Sequence, residues 1–240
     1  MSAAALPVPR LLLWRHGRTA WNAAGRFQGQ LDPPLDDVGR RQAAQAAPHL
    51  ARPLPAGAVV VSSDQVRAAE TAAALTDVLG VPLRLDARLR EVAMGSWEGL
   101  TREEVAERHP EQYADWMAGR PVVGRGGEDS ADVPERALAA LRDLPEAPAA
   151  VVVTHGGTSA RVIEALLGLG PEHRRVFGPL ANCAWSELVR QSGRWRLLRH
   201  NTAAPELPEG TAPRAVTRRP DAGASPEEGA PAPAQDADAL

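Results

Sequence analysis

Three short runs of aliphatic residues, 11–14, 58–61 and 150–153, are each followed at once by polar residues or glycine. Unbroken apolar runs of this length fit parallel strands covered on both faces, whereas a strand with one wet face would alternate. Between them, 37–50 and 67–79 are rich in alanine, with apolar residues at three- and four-residue spacing, which predicts amphipathic helices. The second closes on Gly80 with Pro82 just beyond, a helix stop. Thr101-Arg102-Glu103-Glu104 has capping-box spacing and predicts a helix from there to Arg108, while 132–144 and 158–167 predict two more. Segments 184–189 and 195–199, separated by Gln191-Ser192-Gly193, predict a hairpin at the sheet edge. Strand and helix in series give fold class α/β: a single three-layer α/β/α domain with a mostly parallel central sheet.

The pattern runs from 10 to 202, which is read as one domain between a flexible N-terminus, 1–9, and a tail, 203–240. The tail is dense in Pro, Ala, Gly and acids without periodicity, and it cannot bury enough apolar surface to offset its ordering entropy, so disorder is expected. The formal net charge of −3 is misleading, because seven acids against three arginines fall from Pro205 onward. The body is near neutral and lacks the basic face of a nucleic-acid binder. All 27 basic residues are arginine, which excludes a lysine Schiff base and a Gly-Lys-Ser/Thr phosphate loop. A lone cysteine, Cys183, rules out an intramolecular disulfide and fits a reducing compartment, with the thiol read as a small buried hydrophobe. Four apolar residues follow Arg10 before Arg15, too few for a signal-peptide core, and no segment reaches membrane-span length, so a cytoplasmic protein without membrane partners is expected.

The chemistry sits where two apolar runs end. Leu11-Leu12-Leu13-Trp14 stops on Arg15-His16-Gly17, and Val151-Val152-Val153-Thr154 stops on His155-Gly156-Gly157. In open α/β sheets the crevice lies outside the strand C-termini, so two parallel neighbours would bring both imidazoles together. An arginine beside His16 disfavours its protonation and leaves a lone pair for attack on phosphorus, while guanidinium forks bind phosphoryl oxygens. Gly17 is read as clearing space for substrate. Further elements follow in order: Val61-Ser62-Ser63 then Arg67, Leu89-Arg90-Glu91 then Gly95-Ser96-Trp97-Glu98-Gly99.

With these elements the chain, from about Arg10 to Asn201, resembles the histidine phosphatase superfamily, also called the phosphoglycerate mutase-like family. The resemblance implies that His16 is the nucleophile that becomes phosphohistidine. It implies Arg15 and Arg67 as the paired arginines of the phosphate pocket, His155 as the second imidazole and Glu91 as the general acid. Asn22 and the Gly156 backbone N–H are implied as further phosphate donors, and Gln28 as part of the segment closing over the pocket. Neither metal nor other cofactor is needed, since two arginines and a donor histidine already offset the phosphoryl charge. One carboxylic acid can serve both half-reactions, first protonating the leaving oxygen and then activating water. The competing reading of Glu91 is an ion pair with Arg88 or Arg90.

Glu91 and His155 are 64 positions apart with no long basic insertion between them, which favours a phosphatase over a cofactor-dependent phosphoglycerate mutase. Arg18 departs from the family, which generally has Glu or Gln there, and either adds attraction for a second anion or lies at the surface. Trp97 to Gly127, with Trp116, Met117, Arg120 and Arg125, is where a cap over the leaving group would be built. The runs Gln28-Gly29-Gln30-Leu31-Asp32 and Gly95 to Thr101 resemble the family's bacterial glucosyl-3-phosphoglycerate phosphatases. The expectation is hydrolysis of a small phosphorylated metabolite by a monomer or homodimer. A mutase, a phosphoprotein phosphatase and a non-catalytic phosphate-binding module are the alternatives.

Overall fold

The computed structural model describes residues 6–129, 131–173 and 176–205. In chain order its elements are β1 (Arg10–Arg15), α1 (Ala20–Ala23), α2 (Asp37–Ala51), β2 (Val59–Ser62), α3 (Val66–Leu79), β3 (Arg84–Leu85), α4 (Arg102–Arg108), α5 (Pro110–Met117), α6 (Asp132–Arg142), β4 (Ala150–Thr154), α7 (Gly156–Leu167), β5 (Trp185–Gln191) and β6 (Arg194–Thr202). The strands form one mixed sheet in the order β3-β2-β4-β1-β5-β6, parallel from β3 to β1 and antiparallel through β5 and β6.

Alternate residues of the central strands β1, β2 and β4 enter two separate cores. Leu11, Leu13 and Val152 pack with Ala137 and Leu141 of α6 and Val162 and Ile163 of α7. Leu12, Trp14, Val151 and Val153 pack with Ala43, Ala47 and Leu50 of α2 and Ala68, Ala72 and Leu75 of α3. Both faces are dry, which is why the strand sequences do not alternate, and each buried leucine or valine contributes roughly 1.5–3 kcal/mol by leaving water. The result is the three-layer α/β/α arrangement anticipated from the sequence.

Helix signals held where local chemistry dominates. α3 ends on Gly80 in the left-handed conformation at φ 64°, and Thr101 and Glu104 form a reciprocal capping box at the start of α4. α6 stops at Arg142, two residues before the predicted end. The short β3, one-turn α1 and α5, which opens on Pro110, carry too few periodic residues to be legible.

The boundary of the predicted flexible N-terminus needs correction. Leu6 and Val8 are buried in the first core, and Arg190 donates to the carbonyls of Leu6 and Pro9, so residues 6–9 belong to the domain. Two buried apolar side chains outweigh the absence of regular structure. Residues 1–5 lie outside the described residues. So does the predicted disorder from 206 onward, while Ala204 packs on the second core and Gln45 donates to the Pro205 carbonyl.

Gly17 also has a different reason from the one its position suggests. A Cβ there would lie 2.5 Å from the Gly39 carbonyl oxygen, and a Cβ on Gly39 would lie 2.0 Å from the Arg18 carbonyl oxygen. The pair of glycines lets the end of β1 pass against the first turn of α2, which fixes where the following residues stand.

Candidate active site

β1 and β4 are parallel neighbours in a register that pairs Arg15 with Thr154, so the next residues, His16 and His155, emerge side by side. The His16 N–H donates to the Thr154 carbonyl at 3.0 Å, and the ring centroids are 5.1 Å apart. Both imidazoles are buried. The Gly17 carbonyl takes a hydrogen bond from His16 Nδ1 at 2.7 Å, which fixes the proton on Nδ1 and leaves Nε2 as the lone-pair nitrogen. Burial, with Arg15 and Arg67 adding like charge, holds the His16 pKa well below the usual value. Burial, Arg67, His16 and Arg15 do the same for His155.

Arg67 stands in the first turn of α3 and is wholly buried. Its guanidinium donates to the carbonyls of Leu31 at 2.8 Å and Gly29 at 2.9 Å, and to Gln65 Oε1 at 3.2 Å, leaving Nε without a partner among the described residues. Burial lowers its pKa to about 10, so it remains a cation at neutral pH. Arg15 donates to the Leu180 carbonyl at 2.5 Å, and its Nε is likewise buried and unpartnered among the described residues. A wholly buried and a half-buried arginine with donor capacity to spare, flanking a neutral imidazole, make an arrangement that can hold an anion.

Glu91 does not pair with Arg88 or Arg90, which are taken by Asp86 and Asp143 and by Asp64. Its carboxylate caps α7 instead: Gly157 N–H reaches Oε2 at 3.1 Å, and Thr158 N–H reaches Oε1 at 3.0 Å. This cap starts the helix at Gly156, two residues earlier than predicted. Gly157 is what admits the carboxylate, since a Cβ there would lie 2.7 Å from Oε1. The Gly156 N–H precedes the capped pair at the positive end of the helix, where an anion is stabilised.

Asn22 and Gln28 are organised by buried Thr19. Asn22 Oδ1 accepts from the Thr19 N–H and from Asn182 Nδ2, and Gln28 Oε1 accepts from Thr19 Oγ. With both carboxamide oxygens occupied as acceptors, both amide nitrogens remain as donors. Gln28 sits in a loop tied down by hydrogen bonds between Phe27 and the Gly99 and Leu100 backbone.

Several residues of the site were not anticipated. Gln65 accepts from Arg67 and from the Glu91 N–H while donating to the Gly29 and Leu31 carbonyls, and so joins three segments of the candidate site. Ser63 touches His155, and Asn182 braces the His16 carbonyl. Ser63 and Gln65 follow the C-terminus of β2, where the crevice rule points. Asn182 lies in a loop before β5 with no periodic signal.

Other expectations resolve differently. Arg18 pairs with Asp36, the N-cap of α2, and so serves the helix rather than a second anion. Arg120 pairs with Asp115. Trp97 is buried in an aromatic cluster with Phe27 and Trp116, so these rings build the cap's own core. Burial pushes the Cys183 thiol up to about 12, in keeping with a small hydrophobe. A groove lined by Arg10, His49, Trp185 and Arg199 lies around β5 and β6, and Glu187 pairs with both arginines. Among the described residues no helix is long and apolar enough to cross a membrane, and no cluster of three or more His, Cys, Asp or Glu could hold a metal ion.

The histidine pair predicts how stability depends on pH. In the unfolded chain each ring takes a proton near the ordinary value of 6.5, while the folded rings stay neutral to lower pH. Below 6.5 the unfolded state therefore binds more protons. Stability from this source is fully present above that value and is lost as pH falls, by roughly 1.4 kcal/mol per pH unit for each ring. Denaturant midpoints should drop between about pH 7 and about pH 5, and less steeply in the His155→Gln variant. Equal pH slopes for variant and parent would contradict a buried neutral His155.

The parallel part of a mixed sheet, covered on both faces, brings two neutral imidazoles, two arginines and one carboxylate together at its strand C-termini, which defines a phosphoryl-handling α/β enzyme. The model of the histidine phosphatase superfamily (branch 1) matches residues 11–203, and the chain belongs to that family, as a phosphoric monoester hydrolase. It is 39% identical over 219 residues to a glucosyl-3-phosphoglycerate phosphatase of Mycolicibacterium vanbaalenii, covering 82% of this chain and 96% of the relative. A "Probable phosphoglycerate mutase" of Yersinia enterocolitica is 35% identical over 192 residues, covering 78% of this chain and 87% of its own. Among solved structures, a mycobacterial glucosyl-3-phosphoglycerate phosphatase in complex with VO3 is similar at TM-score 0.75 and 37% identity, covering 81% of this chain and all of that one.

Proposed function

We propose that the protein hydrolyses a small phosphorylated sugar or sugar acid by double displacement through phosphohistidine. His16 Nε2 attacks phosphorus, the bond from phosphorus to the leaving oxygen breaks, and Glu91 supplies that oxygen with a proton. Water then attacks the phosphohistidine, Glu91 takes its proton, and the P–N bond breaks to return His16. Arg15, Arg67, His155, Asn22, Gln28 and the Gly156 N–H hold the phosphoryl oxygens through both steps.

The observation that carries this reading is the tautomer of His16. Its Nδ1 proton is committed to the Gly17 carbonyl, so the neutral ring presents a nucleophilic nitrogen between two guanidinium groups. The substrate class follows the relatives, two of which are named for glucosyl-3-phosphoglycerate. A lone buried cysteine fits work in the cytoplasm, as a monomer or homodimer.

The Yersinia relative favours a second reading, a phosphoglycerate mutase. A panel of phosphorylated metabolites, assayed with and without 2,3-bisphosphoglycerate, separates the two. Phosphate release from phosphorylated sugars and sugar acids is the expected result. Isomerisation of phosphoglycerate that depends on the bisphosphate would replace it with the mutase.

A further inference from the structure

His155 has one nitrogen engaged and one bare. Nε2 lies 3.0 Å from Ser63 Oγ, and Nδ1 is buried without a protein partner among the described residues. A neutral imidazole carries one proton, so the direction of the Ser63 contact decides what Nδ1 can do. If Nε2–H donated to Ser63, Nδ1 would be a lone pair, and a phosphoryl oxygen beside it would set two acceptors against each other. If the Ser63 hydroxyl donates to Nε2, Nδ1 carries the proton and becomes a donor.

The surroundings of Ser63 select the second arrangement. Its oxygen already accepts the Gln65 backbone N–H at 3.3 Å. Among the described residues its hydroxyl proton has no acceptor other than His155 Nε2. Ser63 and His155 are both wholly buried, so an unspent hydroxyl proton would be left unsatisfied away from water. The chain Gln65 N–H to Ser63 O–H to His155 Nε2 uses every donor once and leaves one, Nδ1–H, on the ring 5.1 Å from His16.

We propose that Ser63 is a positioning residue that holds His155 as its Nδ1–H tautomer, so that the second imidazole serves the phosphoryl group as a neutral hydrogen-bond donor. What Nδ1–H meets rests on the phosphatase reading above; the tautomer itself does not. Burial beside two arginines works in the same direction, because it disfavours a third cation. The two rings then divide the work by tautomer and not by charge. The Gly17 carbonyl fixes the His16 proton on Nδ1 so that Nε2 attacks, and the Ser63 hydroxyl fixes the His155 proton on Nδ1 so that this nitrogen donates.

The test is the ¹⁵N spectrum of the full chain with labelled histidine, the ring of His155 being assigned by its loss in His155→Gln. The wild-type ring should show a pyrrole-like Nδ1 and a pyridine-like Nε2, whereas a pyrrole-like Nε2 overturns the proposal without reference to any variant. In Ser63→Ala the two tautomers should mix, and turnover of p-nitrophenyl phosphate should fall roughly 10- to 100-fold, the scale seen when a partner orienting a functional histidine is removed. Ser63→Thr keeps the hydroxyl and should restore the wild-type pattern and most of the rate. A rate loss in Ser63→Ala with the spectrum unchanged would assign Ser63 a purely structural role and sink the proposal. Failure of the wild-type protein to release phosphate from any substrate would sink the phosphatase reading instead, while the spectrum still decides the tautomer.

Discussion

His16→Ala should abolish phosphate release, with kcat/KM down by on the order of 10⁴-fold or more, the scale that loss of a covalent nucleophile has in other enzymes. No neighbour can replace it. His155 is the nearest candidate, but its Nε2 faces Ser63 at 3.0 Å, while Glu91 is held by backbone donors at the start of α7. The anion pocket should survive the substitution, because Arg15 and Arg67 are anchored to the carbonyls of Leu180, Leu31 and Gly29 and not to His16. Inorganic phosphate should therefore still bind to the variant, while reactions with ³²P-labelled substrate, quenched in alkaline detergent because a P–N bond is acid-labile, should label the parent protein and leave the variant unlabelled. Labelled phosphoenzyme in the variant, or turnover within about tenfold of the parent, would move the nucleophile elsewhere.

How far the sequence foretold this site depends on what places each residue. His16, His155 and Arg67 were legible because strand and helix ends place them, and those ends are marked by abrupt changes from aliphatic to polar residues. The parallel register of β1 and β4 then fixes the spacing of the two rings without further information. Of the residues placed by loops, Glu91 and Gln28 entered only through the family resemblance, and Gln65 and Asn182 were missed. Gln65 accepts from Arg67 two residues on and from the Glu91 N–H 26 positions away, Asn182 donates to Asn22 across 160 positions, and no periodicity encodes such contacts. The reading of Gly17 shows a different limit. A glycine beside a reacting group suggests room for substrate, yet here the space is taken by Gly39 of α2. Arg18 could be read as attracting a second anion because a sequence does not display Asp36, which pairs with it from 18 positions away. Pattern reports what is periodic and local, and ion pairs formed between separate elements are neither.

Glu91→Gln should separate the two half-reactions. The first requires proton donation only when the leaving oxygen is poorly stabilised, as in a sugar alkoxide; 2,4-dinitrophenolate departs unaided. The second requires proton removal from water whatever the substrate was. With dinitrophenyl phosphate the variant should release one equivalent of phenolate in a burst and then turn over slowly, about 10²- to 10³-fold below the parent, as expected for loss of general base catalysis. With an alkyl phosphate there should be no burst, since the first step is also slowed. The substitution has a local cost that must be distinguished from this pattern. The carboxylate accepts from Gly157, Thr158 and the Val92 N–H, and a carboxamide would turn an N–H toward one of these donors. An effect confined to that clash would slow aryl and alkyl substrates alike and give no burst with either. A burst that tracks leaving-group basicity therefore identifies Glu91 as the proton-transfer residue, and equal losses without a burst would leave it as the N-terminal cap of α7 alone.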